Sequence, residues 1–523
     1  MYAVKNTPKH FSDHALICGG WFLLPHTGVP ARDRRIWEHP ILTFRRDKKV
    51  RFYFEGVEVE AYEGESIAAA LYAIGVDVFS YSIKLSRPRG AFCMIGKCSS
   101  CFMRVDGIPN TRTCIEPVRE GMKVERQYGL AEVPSFSREE AGGEEVIETD
   151  VLVIGGGPAG LSAALTTAKY GLDTVLVNEH FKLGGQLLKQ THKFFGSKDL
   201  FGGLRGFQIG ERLSGMVLEH KNIRVLLQTV AYGIFRGGWV GLAGKNRLYR
   251  VRPKAVVVAS GASENYLVFQ GNDIPGVMGA GGAQTLMNEY GILPGNEVVT
   301  VGSGNVGLIV SYQLLQAGAS VKAIVEILPE IGGWFVHAAK VRRYGVPILT
   351  RHTLRAVWGG ERVEGATIVE VDRRFRPIPG TEKDISCDLV LIAVGLTPDT
   401  RLFAQAGAVM KWVPELGGSV PLRTKYLEVS VPSMYVAGDA SGIEEATTAI
   451  LEGEVAGLSV VSKLQGLKAD AAERRERLLR FLWDGYRASP LLSRARAGKE
   501  AVTVSEGEMS EVRRRYPPIT SFG

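Results

Sequence analysis

Cysteine is scarce in this chain: six among 523 residues. Four of them fall between positions 93 and 114, and only Cys387 follows. No C-x-x-C or C-x4-C pair therefore lies beyond residue 114, which excludes a redox disulfide there. The clustering also argues against a disulfide-stapled secreted framework and for a metal or redox site in a reducing compartment. Long apolar runs are missing too. "ALICGGWFLLP" is broken by two glycines and is too short to cross a bilayer. It lacks a basic leader and a small-residue cleavage site, so no signal peptide is expected. The expectations are no membrane span and a cytoplasmic location. Net charge is +8 and the pI is near 9.0, but no basic patch interleaves with aromatics, so no nucleic-acid partner is expected. At 45% hydrophobic and 23% charged, the composition is that of an ordinary globular protein. Its length suits about three domains.

What is present begins with "AFCMIGKCSSCFMRVDGIPNTRTC". It places Cys93, Cys98 and Cys101 at C-x4-C-x2-C, and Cys114 follows after twelve residues. Four closely spaced thiolates are the ligand set of an iron–sulfur cluster, and this opening is that of a plant-type 2Fe–2S site. Structural zinc is the alternative, although it favours paired C-x2-C knuckles. The surroundings support the cluster. "VRFYFEGVEVEAY" reads as a hairpin turning at Glu55-Gly56, "ESIAAALYAIGV" as a short helix, and "CFMRVDGIPNTRTC" as a second hairpin turning near Asp106-Gly107. Together they suit a small β-grasp domain. Cys18 and Cys387 read as ordinary buried thiols.

Two glycine fingerprints follow. In "TDVLVIGGGPAGLSAALTTAKYGLDTVLVNE" an apolar strand meets Gly155, Gly157 and Gly160, then a helix, then a strand ending at Glu179. The glycines permit a tight turn, close approach of a pyrophosphate and helix packing, while the acid suits a ribose. Pro158 and Ala159 at the helix start, and Gly185 and Gln186 beyond the acid, join the candidate cofactor-binding set. "NEVVTVGSGNVGLIVSYQLLQAGASVKAIVE" repeats the plan with Gly302, Gly304, Gly307 and Glu326. In each unit the acid lies 24 residues after the first glycine. An acid at the second site favours NAD(H) over NADP(H), although another adenine nucleotide is also compatible. "SMYVAGDAS" brings Gly438 and Asp439 off an apolar strand, where the aspartate can hold a flavin's ribityl or phosphate end. That pairing makes the first nucleotide FAD. The fold class is α/β: two Rossmann-like dinucleotide-binding domains of the glutathione-reductase type behind a β-grasp ferredoxin-like domain. No residue stands out as an acid–base catalyst. His337, with Trp334 and Phe335, reads as packing.

The stretch "NDIPGVMGAGGAQTLMNEYGILPGNEVVTVGSGNVG" resembles the entry to the second nucleotide domain of the α subunits of heterotetrameric sarcosine oxidase, dye-linked proline dehydrogenase, opine oxidase and hydrogen cyanide synthase. The likeness runs over about residues 45–465, and 45–128 is similar to the ferredoxin-like domain associated with those subunits. The resemblance implies an electron-transferring α subunit that binds FAD and a 2Fe–2S cluster. It also implies a β subunit with a second flavin, on which a small amine or imino acid is oxidised. Two alternatives stand beside it: a stand-alone NADH:acceptor oxidoreductase, and a scaffold with structural nucleotide sites.

The expected division is an extension (1–44), the 2Fe–2S domain (45–128), a linker (129–146), a first FAD segment (147–269), the NAD-type domain (270–394), a second FAD segment (395–465) and a tail (466–523). The tail is expected to be helical at first and then irregular. Leu478, Leu479, Leu482 and Trp483 form an apolar stripe in it, suited either to the chain's own core or to a partner subunit.

Overall fold

The computed structural model describes residues 33–132, 143–194, 200–466 and 468–523. Cys18, most of the extension and most of the expected linker lie outside them.

The first unit is a five-stranded sheet in the order Val57–Tyr62, Lys49–Phe54, Lys123–Arg126, Phe102–Val105, Ile108–Arg112. Lys49–Phe54 and Lys123–Arg126 run parallel, as a β-grasp sheet requires. Both expected hairpins are present, and Glu55-Gly56 and Asp106-Gly107 all take positive φ, the conformation that suits the twist of a two-residue turn. The helix Ile67–Ala73 is buried along its whole length, and Ser66 caps it by accepting from the Ala69 amide. Burial of Phe52 and Phe54 contributes ~1.5–3 kcal/mol each. This core is continuous with that of the second nucleotide unit through Met278, Leu286 and Ile292. Residues 33–36 strap the two units together. Arg34 pairs with Asp77, Arg35 with Glu65, and the Ile36 amide donates to the Gly291 carbonyl.

The FAD-type unit centres on Glu144–Ile154 and Leu248–Val258, which pair in parallel. The first of these strands begins inside the stretch expected to be linker. Its early half alternates polar and apolar residues, which hides the strand start among charged residues. Thr174–Val177 and Ile223–Leu226 extend the sheet on one side, and Met434–Val436 joins it from far along the chain. The second nucleotide unit has five parallel strands in the order Val277–Gly279, Leu389–Ile392, Glu297–Val301, Ser320–Glu326, Ile348–Thr350. Ala262–Glu264 and Leu396–Pro398 pair where the chain enters and leaves this unit.

The tail departs from expectation. After the helix Ala469–Arg480 it forms a π-helical turn over Phe481–Tyr486 and two further helices, Ser493–Val502 and Glu506–Arg515. Ser493–Val502 buries Lys499 beside Val502, and Glu506–Arg515 buries only Met509, so neither shows an apolar stripe and hydrophobic periodicity does not reveal them. Lys499 reaches Glu452 at 2.8 Å, Glu444 at 3.1 Å and the Ser441 hydroxyl at 2.6 Å. Arg487 pairs with the same two glutamates. Leu478, Leu479 and Leu482 pack into the core beside the helix Ala446–Gln465, so the stripe belongs to the chain's own core. Among the described residues no helix is long and apolar enough to cross a membrane.

Candidate functional site

The cysteine loop curls through positive φ at Met94, Gly96 and Ser99. The curl turns amides inward: Ile95 and Lys97 donate to the Cys93 sulfur, Gly96 to Cys114 at 3.2 Å, and Ser100 to Cys98. Cys93, Cys101 and Cys114 are buried and Cys98 half-buried, all as free thiols. Their contacts run Cys98–Cys93–Cys114–Cys101. Among the described residues no three His, Cys, Asp or Glu side chains converge as the ligands of one ion would. A chain of sulfurs, with Cys98 beside Cys93 and Cys101 beside Cys114, instead suits a two-iron cluster. Inward amides stabilise sulfur charge there. The crowded thiols do not ionise independently. The neighbouring Cys114 and Cys98 hold Cys93 down, while Cys93 and burial push Cys98 up.

The loop seats on a helix built to receive it. The Gly279 amide donates to the Phe92 carbonyl at 3.2 Å, and a Cβ on Gly282 would stand 2.0 Å from that oxygen. The small residues of "GAGGAQ" thus let the cysteine loop reach the seam between the nucleotide units.

A cavity of about 820 Å³ lies along that seam. Gly155, Gly157, Pro158, Ala159, Glu179, Gly185, Gln186, Gly438 and Asp439 all line it, and so does Cys93. The helix Pro158–Lys169 starts there with no side-chain cap, leaving first-turn amides for an anion. Gly157 carries the fit test. A Cβ there meets no protein atom within 4 Å, so the fold alone does not demand glycine, whereas a bound pyrophosphate would. Gly160 is different: its Cβ would stand 1.8 Å from the Gly155 carbonyl, so it serves helix packing. Asp439 is half-buried, and desolvation pushes its carboxyl up to about 6 against the pull of the Glu444 amide and Lys499. These residues fit FAD.

The four glycine-site residues of the second unit are not among those lining this cavity. Its helix contributes Asn305, Val306 and Ile309 instead. Glu326 is buried and already engaged: one oxygen accepts from the Ser303 amide and hydroxyl at 2.8 and 2.7 Å, the other from the Leu328 amide at 2.9 Å. Its equal spacing with Glu179 is misleading. The Gly155 amide bonds the Val177 carbonyl and the Gly302 amide the Val325 carbonyl, so the structural counterpart of Glu326 is Asn178. Asn178 indeed accepts from the Gly156 amide at 3.1 Å, as Glu326 does from Ser303. A bulge in Ser320–Glu326 supplies the extra residue. Glu179 lies one place further on, free of the glycine loop.

Glu264 and Lys189 also line the cavity, and neither is marked by a motif. Glu264 is held up at about 7 by burial, against its hydrogen bond from the Gly281 amide, and its second oxygen has no partner. Lys189 is buried, donates to Thr285 at 2.6 Å and has its pKa lowered by burial. A charged residue after an apolar strand reads as solvated, and only the crossover between units buries Glu264.

Comparison with known proteins agrees with this geometry. Residues 47–129 match the 2Fe-2S iron-sulfur cluster binding domain, and residues 149–453 match the pyridine nucleotide-disulphide oxidoreductase family. The chain is 26% identical over 467 residues to the alpha subunit of sarcosine oxidase from Rhizobium meliloti (strain 1021), an alignment covering 76% of this chain and 45% of that protein. The chain thus spans about half of that relative's length. It is 29% identical over 395 residues to the opine oxidase A subunit of the same organism, covering 70% of this chain and 84% of that one. Among solved structures it is similar to L-proline dehydrogenase from P. horikoshii, with TM-score 0.63, 28% identity and coverage of 84% and 79%. The chain belongs to the pyridine nucleotide-disulphide oxidoreductase family, as a FAD-dependent oxidoreductase with a 2Fe–2S domain ahead of the flavoprotein fold.

Proposed function

We propose that this chain is the electron-transferring α subunit of a multi-subunit amine or imino-acid dehydrogenase or oxidase. The observation that carries the reading is the shared cavity: Cys93 of the cluster loop lines the same space as Gly157 and Asp439. FAD exchanges electrons in pairs and a 2Fe–2S cluster exchanges them singly, so together they couple the two kinds of donor and acceptor. Gly155, Gly157, Pro158 and Ala159 would hold the pyrophosphate, Glu179 a ribose, Gly185 and Gln186 the neighbouring wall, and Gly438 and Asp439 the ribityl end. Cys93, Cys98, Cys101 and Cys114 would ligate the cluster. Glu264 is positioned to hold a proton inside the cavity. The missing disulfide fits this role, since Cys387 is the single cysteine of the flavoprotein fold and is buried.

The relatives named as subunits support a partner subunit, which on this reading carries the amine site and a second flavin. Unpaired thiols and the absence of an apolar span among the described helices fit a cytoplasmic enzyme. A second reading, an NADH:acceptor oxidoreductase without a partner, draws on Asn305 and Ile309 at the cavity wall. The occupied carboxylate of Glu326 weighs against a ribose there. Anaerobic reduction separates the two readings. Flavin bleaching by a secondary amine only when the co-purified partner is present supports the first reading. Bleaching of the isolated chain by NADH supports the second instead.

A further inference from the structure

A second cavity of about 290 Å³ lies beside the first, between the two nucleotide units. His192, Lys193 and Arg205 come from the FAD-type unit, and Tyr312, His337 and Lys340 from the other. Among the described residues no Asp or Glu lines it. Among the described residues none of its three cations forms an ion pair. Arg205 donates to the Thr191 carbonyl, and the Lys340 ammonium stands 5.5 Å over the Tyr312 ring. Lys193 is exposed and counts least, whereas Arg205 and Lys340 are half-buried.

The histidines complete the wall. His192 stacks on Phe194 and meets the His337 ring edge-on at 6.4 Å. Its Nδ1 is buried with no hydrogen-bond partner, which is costly unless a ligand supplies one. Burial, with His337, Lys340 and Arg205 as neighbours, holds His192 down at about 4. It is therefore neutral at pH 7, a hydrogen-bonding group beside fixed positive charge. His192, Ile309 and His337 line both cavities, so the two adjoin.

Like charges around one concave space repel, and field lines focus into it. An oxyanion removes the repulsion and takes charge-assisted hydrogen bonds from arginine and lysine. We propose that this cavity is a subsite for a small oxyanion, a carboxylate or phosphate group, whose bearer meets the main cavity between His192 and His337. The inference does not depend on which substrate the main cavity serves.

Calorimetry on the flavin-replete chain at low ionic strength tests it, with inorganic phosphate and succinate titrated separately. Saturable binding of at least one is expected, and the tighter of the two identifies the group. Lys340→Ala and Arg205→Ala should each weaken it by about tenfold or more, the loss of a charge-assisted hydrogen bond. Lys340→Arg should keep most of the affinity. Flavin content and melting temperature verify that each variant is folded. No saturable binding of either anion, or unchanged affinity in both alanine variants, overturns the proposal.

Discussion

The Lys97 ammonium lies 2.8 Å from a carboxylate oxygen of Glu179. Lys97 stands inside the cysteine loop and Glu179 at the end of the second strand of the FAD-type unit, so this contact fastens one cofactor's loop to the other's cleft. A second bond, 2.9 Å to Asp399, anchors the same lysine beside the crossover between units. Lys97 thus joins the Gly279–Phe92 contact in fixing the distance across which electrons would pass.

Lys97→Ala should leave both cofactors bound but slow electron passage between them by ~10- to 100-fold, as small displacements of reacting groups do. Stopped-flow absorbance of flavin and cluster on one sample reads this. The contact should also weaken in acid. Burial pushes Asp399 up, but Arg401 and Lys97 outweigh it and hold the carboxyl at about 2. Its contribution is therefore full above the ordinary carboxyl value of about 4 and is lost as pH falls through about 2. Lys97→Ala should flatten that part of the acid-unfolding curve.

The two glycines of the first fingerprint should respond differently. Gly157→Val should give folded but flavin-poor protein, because a Cβ there meets no protein atom within 4 Å and the side chain enters the space a pyrophosphate would fill. Gly160→Val should fail to fold, since it strikes the Gly155 carbonyl. Circular dichroism with flavin absorbance distinguishes the outcomes. Flavin-replete Gly157→Val protein would remove the pyrophosphate assignment.

Cys98→Ser should abolish the cluster while leaving FAD in place. The parent chain, purified anaerobically, should carry about two irons and two sulfides, as a 2Fe–2S centre requires. Stoichiometric zinc without sulfide would point to the other thiolate chemistry.

Lys499→Met should destabilise the chain by ~3–5 kcal/mol, because it removes one of the two cations that form ion pairs with the buried carboxylates of Glu444 and Glu452 and leaves them Arg487. Urea unfolding measures the loss. Flavin retention should fall with it, since Lys499 also counters the upward shift of Asp439.

The parts legible in the sequence are those whose chemistry is local. The cysteine spacing, both hairpin turns and the two glycine loops are each decided within about thirty residues, the span of a βαβ unit. The equivalence of Glu179 and Glu326 misled because one bulged residue preserves the count of 24 while shifting the register. Glu264 and Lys189 escaped notice because their burial depends on strands and helices from distant segments. The helix Ser493–Val502 escaped because it is anchored through the buried charge of Lys499, and Glu506–Arg515 because it buries only Met509, neither of which periodicity displays. The apolar stripe at Leu478–Leu482 was readable as a stripe, but the sequence left its partner open. The packing against Ala446–Gln465 assigns it to the chain's own core.

The central claim is that flavin and cluster exchange electrons across one cavity. Flash photoreduction of the flavin in cofactor-replete protein tests it directly, with flavin and cluster absorbance followed together. The account predicts that the flavin reoxidises at the rate at which the cluster is reduced, and that Cys98→Ser removes this phase. Reduced flavin persisting beside an oxidised cluster, with the same decay in Cys98→Ser, would contradict it.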